Sequence, residues 1–130
     1  MPIDVRWYDD EETIVCYEFT GRWTLEELYT AIDQAHELGA SRDYTVDMIV
    51  DLLGSQRTPR NVLSIVSYAS RKKLPNIGAV VLLTRDRLIR SVAGVVIRLT
   101  PLRGEYVFAA TLEEALDIIE RSRMLKNPSR

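Results

Sequence analysis

Hydrophobic and polar positions alternate from the start of the chain. Ile3, Val5 and Trp7 fall on one side of a period-two pattern and Asp4 and Arg6 on the other, as in a half-buried strand. The acidic run Asp9-Asp10-Glu11-Glu12 then predicts a turn, and the β-branched and aromatic stretch from Thr13 to Phe19 a returning strand. Together they read as a β-hairpin with four solvated acids at its tip.

The period changes at Trp23-Thr24-Leu25-Glu26-Glu27-Leu28. Thr24 can cap the Glu27 amide, Glu27 can reach back to Thr24, and Trp23 can staple onto Leu28. Leu25, Leu28, Tyr29, Ile32, Ala35 and His36 share one face of the helix that follows, which stops near Gly39. The same tetrapeptide, Thr111-Leu112-Glu113-Glu114, opens another helix near the end, with Leu112, Ala115, Leu116 and Ile119 inward. Each box should contribute ~1 kcal/mol.

Between these helices lie three strand candidates: Asp47 to Leu53, Gly78 to Thr84, and Glu105 to Ala109. Ala79-Val80-Val81-Leu82-Leu83 is apolar without alternation, the pattern of a central parallel strand covered on both faces. Thr58-Pro59 supplies an N-cap and a first-turn proline for a helix running to about Lys73, before Pro75. A further helix starts around Asp86 and ends near Thr100-Pro101. Its apolar stripe, Leu88, Ile89, Val92, Ala93, Val96 and Ile97, is expected to be claimed by the core. The order β-β-α-β-α-β-α-β-α predicts an α/β fold: an N-terminal hairpin followed by repeated βα units, a mostly parallel five-stranded sheet and four helices. One domain over residues 1–123 with a flexible tail at 124–130 is the expected organisation.

Composition adds limits to this picture. At 130 residues the chain can bury roughly two-thirds of its unfolded surface. The single cysteine, Cys16, cannot form an internal disulfide, and with one histidine no metal-ligand spacing occurs. Neither a leader sequence nor an apolar run of membrane-spanning length is evident, so the expectation is a cytoplasmic protein without a cofactor. The net charge of −2 conceals a segregation: residues 1–53 carry 13 acids against 3 bases, and residues 54–104 carry 10 bases against one acid, Asp86. Such asymmetry leaves open three readings: halves that interleave in the fold and neutralise each other across the surface, an anionic partner, or self-association into a homodimer.

At the level of whole passages the chain resembles the SpoIIAA-like family, relatives of the STAS anti-sigma-factor-antagonist fold (STAS/SEC14-type). The resemblance covers roughly residues 12–122. It rests on Tyr17-Glu18-Phe19-Thr20-Gly21-Arg22-Trp23-Thr24, on Ile49-Val50-Asp51-Leu52 before a variable loop, and on Arg85-Asp86-Arg87-Leu88. Pro101-Leu102-Arg103-Gly104-Glu105-Tyr106-Val107-Phe108 followed by Leu112-Glu113-Glu114-Ala115 completes it. The resemblance implies a non-enzymatic regulatory or protein-interaction module, and some relatives look like lipid or small-molecule carriers. In regulators of this kind a serine in an Asp-Ser turn before the second helix accepts phosphate. Here the stretch reads Gly54-Ser55-Gln56-Arg57-Thr58-Pro59-Arg60-Asn61; the Asp-Ser pair is missing, and Ser55 and Thr58 are the candidate phospho-acceptor or helix-cap residues.

No catalytic set emerges. His36 is expected to pack against the sheet and Cys16 to fill core space; GxSxG, GxGxxG and Walker-type loops are missing. The basic segment offers a candidate anion or partner surface: Arg57, Arg60, Arg85, Arg87, Arg90 and Arg98. Arg90, Gly94 and Arg98 align at i, i+4 and i+8, so two guanidinium groups would flank a position without a side chain. Nucleic acid is not expected, because the acidic remainder opposes a phosphate backbone and no aromatic-basic platform occurs. A parallel sheet would gather Gly54, Ser55, Thr84, Arg85, Ala110 and Thr111 at the strand ends, where α/β folds place ligands.

Overall fold

A computed structural model describes residues 2–56, 61–72, 74–100, 102 and 104–126. Arg57, Thr58 and Arg60, with Pro59, Pro101, Arg103 and residues 127–130, lie outside the described residues.

Five strands form one sheet whose spatial order equals the chain order: β1 (Ile3–Trp7), β2 (Ile14–Gly21), β3 (Val46–Ser55), β4 (Ile77–Leu83) and β5 (Glu105–Ala109). β1 pairs antiparallel with β2, and the other three contacts are parallel. The helices are α1 (Leu25–Ala40), α2 (Val62–Arg71), α3 (Arg87–Leu99) and α4 (Leu112–Lys126). The final helix thus continues three residues beyond position 123.

Sequential strand order has a strong consequence. Each right-handed crossover from β2 to β5 steps the same way across the sheet, so its helix must land on the same face. Side chains of α1, α2 and α3 accordingly meet one face of the sheet. Only α4, which follows the last strand, packs on the other, through Ala115 and Ile119 against Ile49, Val81 and Leu83.

Register fixes which side chain goes where. Trp7, Val15, Met48, Val80 and Tyr106 make one row across the three-helix face, and Val5, Tyr17, Val50, Leu82 and Phe108 the next. The α4 face carries Arg6, Cys16, Ile49, Val81 and Val107 in its corresponding row. Ala79, Val81 and Leu83 are fully buried on one side of β4 and Val80 on the other, as the unbroken apolar run predicts.

The capping box of α1 forms in full: the Glu27 amide donates to Thr24 Oγ1 at 3.1 Å, and the Thr24 amide to Glu27 Oε1 at 2.9 Å. That of α4 forms by half. The Glu114 amide donates to Thr111 Oγ1 at 3.1 Å, but the Glu114 carboxylate reaches past Thr111 to the Ala110 amide at 3.5 Å.

Two expectations are corrected. The hairpin tip is not uniformly solvated. The Asp9 carboxylate accepts from the Thr13 and Ile14 amides at 2.9 and 3.0 Å and from the Thr13 hydroxyl, while Glu12 pairs with Arg42 at 2.6 Å. The tip folds over the end of α1, and there a carboxylate finds donors. The stripe of α3 is also only partly core: Ala93 is buried, yet Leu88 is 62% exposed and Val92 43%. This helix packs chiefly beside α2, and only Ile89, Ala93 and Ile97 of its stripe turn toward the space over the sheet.

Candidate functional site

The face shared by α1, α2 and α3 is not completely filled. Two adjoining cavities lie between the helices and the sheet. One, of about 150 Å³, is walled by apolar side chains, among them Phe19, Trp23 and Leu28, Val62 and Val66 of α2, and Phe108. The second, of about 170 Å³, has a mixed lining in which His36, Ser70 and Lys72 join Ile32, Met48 and Leu74. Tyr17, Ile32, Met48, Ala69, Leu102 and Tyr106 border both. The space is therefore one chamber with an apolar lobe and a polar lobe, and the boundary between them carries two tyrosines.

At its polar end Lys72 is held from outside the cavity by Asp33. Lys72 Nζ pairs with the carboxylate at 2.7 Å, and the Tyr68 hydroxyl donates to it at 2.8 Å. Tyr68 stacks on Tyr29 with ring centroids 4.2 Å apart, which ties α2 to α1. The hydrogen bonds from Lys72 and then Tyr68 hold the Asp33 carboxyl below its ordinary value.

Tyr17 sits deeper, on β2, and is 6% exposed. Burial, with smaller contributions from Tyr106 and Asp33, pushes its phenol well above the ordinary tyrosine range. Tyr106 on β5 is shifted the same way by burial. Both therefore remain neutral hydroxyl donors at physiological pH. Neither makes a side-chain hydrogen bond within the described residues, while no side-chain nitrogen or oxygen there is both sealed from solvent and unpartnered. The Tyr17 hydroxyl thus opens on the chamber. Neither tyrosine stands out in the sequence, because each sits in a run read as core strand. The available signal was the hydroxyl itself: a tyrosine in a buried strand needs a partner for its O–H.

Of the strand-end residues named from the sequence, Ser55, Thr84 and Arg85 line a separate cleft of about 240 Å³ together with Leu52, Leu53, Gln56, Asp86 and Ile89, whereas Gly54, Ala110 and Thr111 do not line it. Ser55 Oγ accepts the Trp23 indole N–H at 2.9 Å, so its hydroxyl anchors a buried ring. Arg85 Nε donates to the Ala110 carbonyl at 3.3 Å. Asp86 caps α3 through the Leu88 and Ile89 amides at 2.9 and 3.3 Å, which brings a carboxylate into the same cleft.

On α3 the arginines adopt different roles. The Arg90 guanidinium lies over the Phe108 ring, 5.6 Å from its centroid, and Arg98 Nε folds back onto the Gly94 carbonyl at 3.3 Å. Arg87 is exposed. None of Arg85, Arg87, Arg90 and Arg98 forms an ion pair with a described residue. A side chain at Gly94 would meet only Phe108, at 3.7 Å, so no close backbone approach requires the glycine.

Cys16 is buried on the α4 face, and burial pushes its thiol up to about 11. Such a thiol is a small core group rather than a nucleophile. His36 is half-buried and faces the polar lobe. Among the described residues no cluster of histidine, cysteine or carboxylate side chains is placed to hold a metal ion. No described helix is long and apolar enough to cross a membrane.

Comparison with solved structures now decides the architecture. The chain superposes, over 88% of its length and 90% of the other chain, on an uncharacterised DUF3478-family protein from Shewanella loihica PV-4 with a SpoIIAA-like fold; the TM-score is 0.62 and the identity 16%. The fold is SpoIIAA-like. At that identity the likeness speaks for the architecture alone. No family model matches the sequence, and no curated protein matches it. The SpoIIAA-like sheet here, with its antiparallel first strand and four helices, is the one expected from the order of elements.

Proposed function

We propose that this SpoIIAA-like domain is a non-enzymatic binding module that takes an apolar small molecule or a single acyl chain into the chamber under α1, α2 and α3. One observation carries the reading: a lobe of about 150 Å³ whose walls are almost entirely apolar. A cavity of about that size, when dry and apolar, is enough to bind a benzene-sized ligand. Transfer of the ligand's own apolar surface out of water supplies the driving force, on the order of 0.8 kcal/mol per methylene buried. Methyl-resolved NMR during titration with toluene tests this. Shifts should concentrate on Leu28, Val62, Val66 and Ile89; a spectrum unchanged up to toluene saturation overturns the reading.

A second reading, a regulatory protein-interaction module, draws support from α3. Leu88, Val92, Val95 and Leu99 are exposed beside Arg87, Arg90 and Arg98, a surface suited to an acidic partner or to the acidic segment of a second copy. Light scattering at low and high salt tests the homodimer form, which requires a mass that falls with ionic strength.

A further inference from the structure

The apolar lobe explains where a hydrocarbon goes but not why two phenols stand at its inner boundary. Tyr17 is nine-tenths buried, has no hydrogen-bond partner among the described residues, and its hydroxyl, which is not sealed from solvent, opens on the chamber. Phenylalanine would wall the same space without bringing a donor into it. The two rings come from adjacent same-face rows, Tyr17 on β2 and Tyr106 on β5, and both border each lobe. Neither hydroxyl has a partner among the described residues, so each is available to donate to something held in the chamber.

We infer that the Tyr17 and Tyr106 hydroxyls are the head-group site for a single-chain amphiphile: they donate to an acceptor oxygen, of a carboxylate or an ester carbonyl, while its chain fills the apolar lobe. The inference rests on the apolar-ligand reading above and adds to it the polarity and placement of the head. Size agrees. Each lobe is comparable to a cavity that takes about six carbons, so the two together fit a head and a chain of about eight to ten carbons. The polar lobe agrees as well. His36, Ser70 and Lys72 line it beyond the tyrosines, so a head of either charge state meets a polar wall and not a hydrocarbon one. Lys72 itself is engaged with Asp33, which leaves the phenols without a hydrogen-bond partner among the described residues.

Calorimetric titration of the full chain and of Tyr17→Phe, Tyr106→Phe and the double variant tests the assignment. The probes are decanoate, methyl decanoate and toluene. Each lost hydroxyl should weaken the preferred amphiphile by about tenfold. Toluene, which has no acceptor oxygen, should bind every variant as it binds the wild type, and this also shows that the chamber is still folded. Preference for decanoate marks a carboxylate head, and preference for the ester an uncharged carbonyl; a tyrosine-dependent loss with either supports the inference. Amphiphile binding of equal strength in all four proteins overturns it and leaves the apolar-ligand reading standing, as does toluene binding without amphiphile binding. If no probe binds, the apolar-ligand reading itself fails, and the inference with it.

Discussion

Gly78, at the start of β4, is where the packing is least forgiving. A β-carbon there would lie 2.3 Å from Asp47 Oδ1 and 2.9 Å from Thr45 Cγ2. Asp47 has no room to retreat: it is 1% exposed, its Oδ1 accepts the Ala79 amide at 2.7 Å, and its Oδ2 accepts Arg123 Nε at 2.8 Å. Gly78→Ala must therefore move the carboxylate. Leaving the buried Ala79 amide unsatisfied costs about 1–3 kcal/mol, and forcing extra volume into a packed site about 1–3 kcal/mol more. The lower entropy of the unfolded alanine chain returns only ~0.4–1 kcal/mol. The net expectation is a loss of about 1–5 kcal/mol. The Arg123 end adds little, since its side chain is 42% exposed and solvent screens that half of the pair. Urea unfolding followed by fluorescence gives the number, and a double-mutant cycle tests the cause. In an Asp47→Ala background, where no carboxylate stands in the way, Gly78→Ala should cost less than ~1 kcal/mol. An equal cost in both backgrounds would refute the explanation.

Three further outcomes are expected. Gly94→Ala should stabilise the protein by up to ~1 kcal/mol, because the new methyl group meets only Phe108 at ordinary contact distance and helix propensity improves; thermal unfolding reads this directly. Ala69→Leu, which places volume at the border of both lobes, should abolish toluene binding without unfolding the chain, as calorimetry and circular dichroism would show. Partial burial opposes the ionisation of Asp9, but hydrogen bonds from the Thr13 hydroxyl and the Ile14 and Thr13 amides outweigh it and bring the carboxyl below its ordinary 3.8. A depressed carboxyl gives stability that is fully present above the unfolded value and is lost as pH falls through the folded one. Asp9→Asn should therefore flatten the fall in urea midpoint below about pH 4, and an unchanged acid slope would count against the assignment.

The elements themselves were legible because each carries a local signature. The α1 box depends on Thr24 and Glu27 alone, and the β4 run on residues that cannot sit anywhere but a two-sided core. The capping of α4 was half legible: Thr111 does its part, but the position of Glu114 depends on how the preceding strand delivers Ala110. The exposed residues of α3 were not legible. An amphipathic stripe reveals which residues prefer burial and not how much sheet lies beneath them, and β5 is an edge strand of only five residues. The chamber was invisible for a related reason. Met48, Val80 and Tyr106 are read as core wherever they occur, and a void arises from how α2 and α3 span them, a matter of tertiary packing. Asp47 likewise gave no hint in sequence of becoming the most deeply buried acid, since its partners are 32 and 76 residues away.

That last separation also sets a clock on how the molecule is made. Arg123, besides meeting Asp47, donates to Thr13 Oγ1 at 2.9 Å across 110 positions, so α4 fastens the hairpin and β3 at once. At ~5–20 residues per second, translation of the 76 residues between Asp47 and Arg123 takes about 4–15 s. Through that interval helices are added to one face of the nascent sheet and none to the other, so Ile49, and later Val81 and Leu83, lie bare until α4 is made. A SpoIIAA-like chain wound in this one-sided order completes its sheet-covering only when α4 has been made and arrives as both lid and clasp.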